Sequence, residues 1–276
     1  MNAGRMKALV RRQLNRFPRL KALLKRLFRA VTPSGGVSTD YVEMEISETG
    51  GESARLRDAW QADDLPQRQR KLVDGQLAEF RRGTPVPVFD VIVQALRHLA
   101  PKDRDGSMSL LEVGCSSGYY AEVLEIAGLN PTYAGCDYSE AFIAMARQKY
   151  PALRFDVEDA TALRYEENAF DVVISGCCLL HIPEYELAVA ETARVAREYA
   201  IFHRTPVVIG EPNTNKYYRK RAYGVETVEI HFNEPQFLAL LAASGLQVIE
   251  THTLAETLVA GVGSASRTYV CRKITV

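Results

Sequence analysis

The stretch Ser109–Gly128, "SLLEVGCSSGYYAEVLEIAG", decides the fold of this chain. A run of apolar and β-prone residues ends at Gly114, a second glycine follows at Gly118, and a helix-like pattern comes next. A strand, a glycine-containing turn and a helix in this order open a nucleotide-binding unit in many parallel sheets. The spacing is not that of a dinucleotide fingerprint, because the third glycine is missing, and this disfavours an NAD-dependent oxidoreductase.

After Pro101 the chain alternates between two kinds of segment. The strand-like segments are Leu110–Val113, Thr132–Cys136, Leu153–Val157, Phe170–Ser175, Glu198–His203, Leu246–His252 and Arg267–Arg272. The helix-like segments are Tyr119–Ala127, Glu140–Lys149, Tyr185–Arg197 and Glu234–Ala243. This alternation predicts an α/β fold, a doubly wound and mostly parallel seven-stranded sheet with helices on both faces. The last two strands have no helix between them, so we expect an antiparallel strand at one edge.

The charges are unevenly distributed along a chain whose net charge is zero. Of the 34 basic residues, ten lie within residues 1–39, which contain no acid. The rest of the chain contains the other 24 basic residues and all 34 acidic residues. Residues 5–31 are predicted to form a basic amphipathic helix, interrupted at Pro18. Such a helix either binds a membrane surface or acidic partner, or packs on the core with a solvated basic face. Nucleic acid is not an expected partner, because the rest of the chain is acidic.

These patterns divide the chain into three predicted regions. Residues 1–39 form a basic amphipathic extension and linker, residues 40–99 a helical lid or cap, and residues 100–276 the cofactor-binding domain. The five cysteines lack metal-ligand spacing, so no metal is predicted. An odd cysteine count favours reduced thiols and a cytoplasmic location. The basic helix adds the alternative of a peripheral location at the inner face of the membrane.

Acidic residues follow the second and third predicted strands. Asp137 ends the second strand, 23 residues after Gly114, where a carboxylate can accept two hydrogen bonds from a ribose diol. Tyr138 comes directly after it, and Ser139 is the expected N-cap of the next helix. The third strand ends in "FDVED", whose last residue is Asp159. Ligands bind at the carboxyl ends of strands in such sheets, so these residues are expected to meet in one site.

Together these motifs resemble the class I S-adenosylmethionine-dependent methyltransferases. The stretch "EVGCSSG", Glu112 to Gly118, is similar to that family's first motif, with Ser116 in place of the middle glycine. The resemblance covers about two-thirds of the chain and implies a Rossmann-like fold, methyltransferase activity and S-adenosylmethionine as cofactor. Its adenine-edge acid and adjacent amide correspond to Asp159 and Ala160. The full set of expected cofactor-binding residues is Glu112, Gly114, Cys115, Ser116, Gly118, Asp137, Tyr138, Asp159, Ala160 and Cys177.

Three histidines are candidates for a general base in the transfer step. His181 lies just after the fourth strand, His203 ends the fifth, and His231 lies in the following segment. A histidine has a suitable pKa to take a proton from a hydroxyl. Each has a structural alternative, namely packing in the core or capping a helix.

The acceptor is expected to lie between two segments outside the predicted sheet. One is the helical region Trp60–Leu99, and the other is the polar segment Thr205–Asn233, which is rich in tyrosine and basic residues. A small-molecule or glycan-type acceptor, methylated on oxygen, fits this composition, and the basic helix adds the alternative that the acceptor is presented at a membrane surface. The alternative is a non-catalytic protein that binds the cofactor or a partner. The oligomeric state stays open.

Overall fold

The computed structural model describes residues 38–44, 55–99, 108–210 and 214–274. The predicted basic helix over residues 5–31 and most of the linker after it lie outside these residues. Within the described ranges, no helix combines the length and the apolar character needed to cross a membrane.

The described strands form a single mixed sheet. They are β1 (Ser38–Met44), β2 (Ser109–Val113), β3 (Thr132–Asp137), β4 (Arg154–Val157), β5 (Phe170–Gly176), β6 (Ala196–Ile209), β7 (Lys216–Ala222), β8 (Val225–Asn233), β9 (Leu246–Val259) and β10 (Val262–Lys273). Seven of them correspond to the seven predicted strands and lie in the order β4-β3-β2-β5-β6-β10-β9. Neighbours from β4 to β6 are parallel, and β10 is antiparallel to both β6 and β9. The predicted fold class is therefore confirmed, with β10 lying just inside the edge strand β9.

Helices cover both faces of this sheet. They are α1 (Leu65–Arg81), α2 (Pro87–Leu99), α3 (Tyr119–Ile126), α4 (Glu140–Lys149), α5 (Tyr185–Val195) and α6 (Glu234–Ala243). Alternate strand residues enter opposite cores: Val173 packs with α5 and α6, whereas Val172 and Ile174 pack with α2, α3 and α4. Burial on both faces explains why "FDVVIS" reads as a continuous apolar run.

Three strands were not predicted, and they extend the sheet beside β6. The described residues of the polar segment Thr205–Asn233 include the end of β6, β7 and β8, and β1 pairs with β7. The second half of β6 runs parallel to β8, with Val207 opposite Phe232. Basic residues hide the strand pattern of β7, because Lys220 is buried in an ion pair with Glu229 and takes a position that usually holds an apolar side chain. The segment between the last two predicted strands is likewise part of the β9–β10 hairpin.

Candidate cofactor and acceptor site

The loop after β2 has a conformation that requires its glycines. Gly114, Ser116 and Gly118 have φ values of 73°, 48° and 72°. A Cβ on Gly114 would lie 2.4 Å from Cβ of Cys178, and one on Gly118 would lie 2.6 Å from the ring of Phe155. Both glycines are thus needed for backbone conformation and for close packing. Ser116 replaces a glycine at a left-handed position, which L-residues adopt at a cost.

Asp137 connects this loop to the next one. One carboxylate oxygen accepts a hydrogen bond from the backbone N–H of Ser116 (2.9 Å), and the other accepts one from Ser139 (3.0 Å). Burial raises the pKa of Asp137 to about 6, although the backbone hydrogen bonds act to lower it. Ser139 caps α4 by accepting from the N–H of Phe142, as predicted. The carboxylate is half-buried, so it is held in place and remains accessible at the carboxyl edge of the sheet.

Glu112 lies beneath the loop and is only 1% exposed. The hydroxyl of Tyr133 donates a hydrogen bond to it over 2.5 Å. Burial raises its pKa to about 8, against the lowering effect of this hydrogen bond. A Cβ on Gly176, at the end of β5, would lie 2.7 Å from the carboxylate, so the glycine lets the two strand ends approach. The buried carboxyl group is suited to a cationic partner such as an amino group.

Asp159 and Tyr138 are joined by an arginine that was not a predicted site residue. Arg57 forms an ion pair with Asp159 (2.6 Å), and its guanidinium lies 5.3 Å from the centre of the Tyr138 ring. Burial acts to raise the pKa of Asp159, but hydrogen bonds from Thr161 and Arg57 outweigh it and hold the pKa below its usual value. Ala160 is partly buried beside Asp159. The predicted adenine-side residues therefore lie together, with Arg57 closing over them from the 40–99 region.

The predicted cysteines differ in their access to the site. The side chain of Cys115 is fully buried, and its N–H donates to the carbonyl oxygen of Cys136 (2.9 Å), so Cys115 supports the loop from below. Cys177 is half-buried in the loop after β5, with a φ of 61°. Its neighbour Cys178 lies against Gly114 and donates to the carbonyl oxygen of Val113 (3.4 Å).

Two of the three candidate histidines use both ring nitrogens in buried contacts. His203 is bonded to Tyr120 (2.8 Å) and Thr268 (2.9 Å), and burial lowers its pKa well below the usual value. His231 is bonded to Glu229 (2.8 Å) and to Ser264 (2.9 Å). These contacts favour the structural alternative for both residues.

His181 is different, because one of its ring nitrogens has no hydrogen-bond partner among the described residues. Its Nδ1 lies 2.6 Å from the carbonyl oxygen of Val228, which can only accept, so Nδ1 carries the proton. Its ring lies 4.6 Å from that of Trp60. Burial, reinforced by Lys220, lowers its pKa to about 3, so the imidazole is neutral and Nε2 is its acceptor atom.

The helical region and the β7–β8 hairpin meet above the carboxyl edge of the sheet. The indole N–H of Trp60 donates to the hydroxyl of Thr227 (2.7 Å), and the Trp60 ring lies 6.3 Å from that of Tyr223. Arg68 donates to the carbonyl oxygen of Tyr223 (3.0 Å) at the hairpin turn. Arg204, which follows His203 and is part-exposed, lies within electrostatic range of Tyr223. Arg57 and Arg204 were missed because an isolated arginine in sequence carries no positional signal.

The strand order, the glycine loop after β2 and the acids after β3 and β4 together define a class of protein. They are the arrangement of a class I S-adenosylmethionine-dependent methyltransferase domain, as the sequence motifs implied. Residues 111–203 match the family described as "Methyltransferase domain". The resemblance to this family is confirmed for this part of the chain, and S-adenosylmethionine is the cofactor of this class of domain.

Relatives and solved structures agree with this assignment. The chain is 34% identical over 101 residues to demethylmenaquinone methyltransferase of Shouchella clausii, covering 34% of this chain and 43% of that protein. It is 26% identical over 163 residues to a protein of Mycolicibacterium smegmatis named as a probable S-adenosylmethionine-dependent methyltransferase, covering 59% of each. The chain thus spans about half the length of these two curated relatives.

Two solved structures share the fold at low sequence identity. One is 1,6-didemethyltoxoflavin-N1-methyltransferase of Burkholderia thailandensis, with a TM-score of 0.55, 16% identity and coverage of 85% of this chain and 94% of that one. The other is magnesium protoporphyrin IX methyltransferase of Synechocystis, with a TM-score of 0.54, 18% identity and coverage of 80% and 99%. Both were solved with S-adenosylhomocysteine bound.

Proposed function

We propose that this chain transfers a methyl group from S-adenosylmethionine to a small-molecule acceptor. The observation that carries the proposal is the coupling of Asp137 to the glycine loop through the N–H of Ser116. This contact holds the carboxylate beside a loop whose backbone conformation and packing require glycine at positions 114 and 118. A carboxylate and a close-approach loop side by side suit a ribose diol and an amino-acid chain, which the cofactor joins in one molecule.

The residues have separate tasks in this proposal. Asp137 accepts hydrogen bonds from the ribose. Asp159 binds the adenine edge, either after its ion pair with Arg57 opens or while Arg57 still shares the carboxylate. Glu112 supports the amino group directly or through water. The cofactor, when bound, supplies a methyl carbon that its sulfonium has already activated. The protein has to align the acceptor atom with that carbon and exclude water. Trp60 and the β7–β8 hairpin cover the carboxyl edge and serve the second task.

The acceptor atom in this proposal is oxygen. A lone pair of the oxygen forms the new C–O bond, the C–S bond breaks, and sulfur keeps its electron pair to give S-adenosylhomocysteine. A hydroxyl acceptor would pass its proton to Nε2 of His181, the accepting nitrogen of a neutral imidazole. The relative named for demethylmenaquinone supports a small molecule as acceptor. The basic segment 5–31 supports an acceptor at a membrane surface, either a lipid-linked saccharide or another envelope precursor.

Calorimetry with S-adenosylhomocysteine and with NAD tests the cofactor assignment on the full chain. We expect S-adenosylhomocysteine to bind and NAD to give no heat of binding. Binding of NAD alone would refute the proposal in favour of an oxidoreductase. Incubation of the protein and labelled S-adenosylmethionine with cell extracts then tests catalysis. Cofactor binding without any labelled product would favour the non-catalytic alternative.

A further inference from the structure

Arg204 occupies an irregular position in β6. Phe202 is paired with Tyr269 of β10 and Thr205 with Arg267, so two residues of β6, His203 and Arg204, lie opposite one residue of β10. This is a β-bulge, and Arg204 has the positive φ of 58° that accompanies it. Bulges redirect side chains and occur frequently beside active sites.

The bulge lies at the carboxyl edge of the parallel strands. The last β5–β6 pair joins Gly176 to His203, so Arg204 is the first residue of β6 beyond the reach of β5. Cys177 follows Gly176 in the loop next to the cofactor region. His203 is anchored on both sides of the bulge by Tyr120 and Thr268, which holds the backbone of Arg204 in place.

Among the described residues, the guanidinium of Arg204 has no carboxylate as an ion-pair partner. Its strongest electrostatic contacts are the thiol of Cys177 and the phenols of Tyr119, Tyr120 and Tyr223. No hydrogen bond or ion pair joins it to any residue in the described ranges. Other arginines, such as Arg57, Arg70 and Arg194, have carboxylate partners.

A part-buried guanidinium without a partner is costly to maintain, because its five N–H donors remain unused. Its planar, permanently charged group matches an oxyanion, which it can bind through two parallel hydrogen bonds. The phenols of Tyr119 and Tyr223 lie within electrostatic range of this position, and their rings offer apolar surface to a ligand.

We propose that Arg204 is the anion-binding group of the acceptor site, so that the acceptor is a small molecule bearing an oxyanion, foremost a carboxylate. This inference rests on the proposed methyltransferase function and specifies its substrate class. Arg204 lies with Tyr223 of the hairpin and within electrostatic range of His181, on the acceptor side rather than beside Asp137 or Asp159. An acceptor oxygen that is already ionised needs no general base, so the proton transfer to His181 applies only to a hydroxyl acceptor. This agrees with the full occupation of His203 and His231 by structural contacts.

The test uses benzoate and its neutral analogue benzamide as probes, titrated into the full chain saturated with S-adenosylhomocysteine. We expect benzoate to bind about tenfold more tightly than benzamide, the size of effect expected for a charge-assisted bidentate contact. Arg204→Gln should abolish this preference, and Arg204→Lys should restore part of it. Arg272→Gln is the matched control, since Arg272 is an exposed arginine at the opposite edge of the sheet and should leave the preference intact.

Each outcome that differs from the expected one has its own interpretation. Equal affinity for the two probes in the unmodified protein, or a preference that survives in Arg204→Gln, overturns the inference. Loss of S-adenosylhomocysteine affinity in a folded Arg204→Gln protein also overturns it, because Arg204 would then hold the cofactor. Failure of the unmodified protein to bind S-adenosylhomocysteine refutes instead the proposed function.

Discussion

Asp137 carries the most specific expectation at the scale of single residues. We expect Asp137→Ala to weaken S-adenosylhomocysteine binding by about 1–3 kcal/mol, because the ribose hydroxyls lose their acceptor and remain unpaired. Isothermal titration calorimetry measures this change. Asp171→Ala is a matched control, since Asp171 accepts hydrogen bonds from the N–H and hydroxyl of Ser109 at the opposite end of the strands. It should lower stability and leave affinity unchanged; equal losses in both variants would contradict the ribose assignment.

Glu112 leads to an expectation about protons. With a pKa raised to about 8, chiefly by burial, the carboxyl is mostly protonated in the empty protein at pH 7. The ammonium group of the ligand favours the ionised form, so binding of S-adenosylhomocysteine should release a proton, and affinity should rise with pH up to about 8. Calorimetry in buffers of different ionisation enthalpy counts the released protons. Glu112→Gln should remove this release, and an unchanged count would refute the contact.

The same pKa shift affects stability with a defined sign. The folded state holds this proton more tightly than the unfolded chain, whose carboxyl has a pKa of 4.5. The contribution of Glu112 to stability is therefore greatest below pH 4.5 and is lost as the pH rises to about 8. Glutamine cannot ionise, so Glu112→Gln avoids the cost of a buried charge at high pH. The stability of the variant relative to the unmodified protein should therefore be greater at pH 8 than at pH 5.

At the scale of elements, the start of α3 depends on Gly118. Gly118→Ala combines a left-handed backbone with a Cβ only 2.6 Å from the ring of Phe155. Gly128, just after α3, has the same φ of 72° and no atom within 4 Å of its added Cβ, so Gly128→Ala isolates the backbone cost. We expect about 1–2 kcal/mol for Gly128→Ala and a larger loss for Gly118→Ala, measured by urea unfolding. Equal losses would mean that the contact with Phe155 relaxes freely.

The elements differ in how far their sequences predicted them. α4 and α6 have the bounds expected from the sequence, because a capping residue and an apolar stripe both mark them: Ser139 and Asn233 accept from the backbone of the first turn. β7 and β8 were not predicted, because their identity depends on partners distant in the chain. Glu229 is buried on β8 where Lys220 forms an ion pair with it and His231 a hydrogen bond, and a local pattern cannot contain that information.

At the scale of the whole molecule, the role of residues 5–31 is open to a direct test. Deletion of residues 1–31 removes ten basic residues from an otherwise acidic chain. If this segment binds membranes, the deletion should abolish co-sedimentation with phosphatidylserine-containing vesicles and leave S-adenosylhomocysteine affinity unchanged. High salt should weaken the binding of the full chain, since part of the attraction is electrostatic. Equal co-sedimentation of both forms would remove the membrane proposal.

The sequence by itself determined the doubly wound sheet, the loop at Gly114–Gly118 and the acids at Asp137 and Asp159. These features follow from alternating periodicity and from residue types that a local backbone conformation requires, so they can be predicted from the local sequence. The tertiary structure decided the three added strands, the contact of Arg57 with Asp159, the burial of His203 and His231, and the position of the part-buried Arg204 at a bulge. Each of these depends on which distant residues meet, and whether a side chain is paired or free for a ligand is settled only when the elements pack.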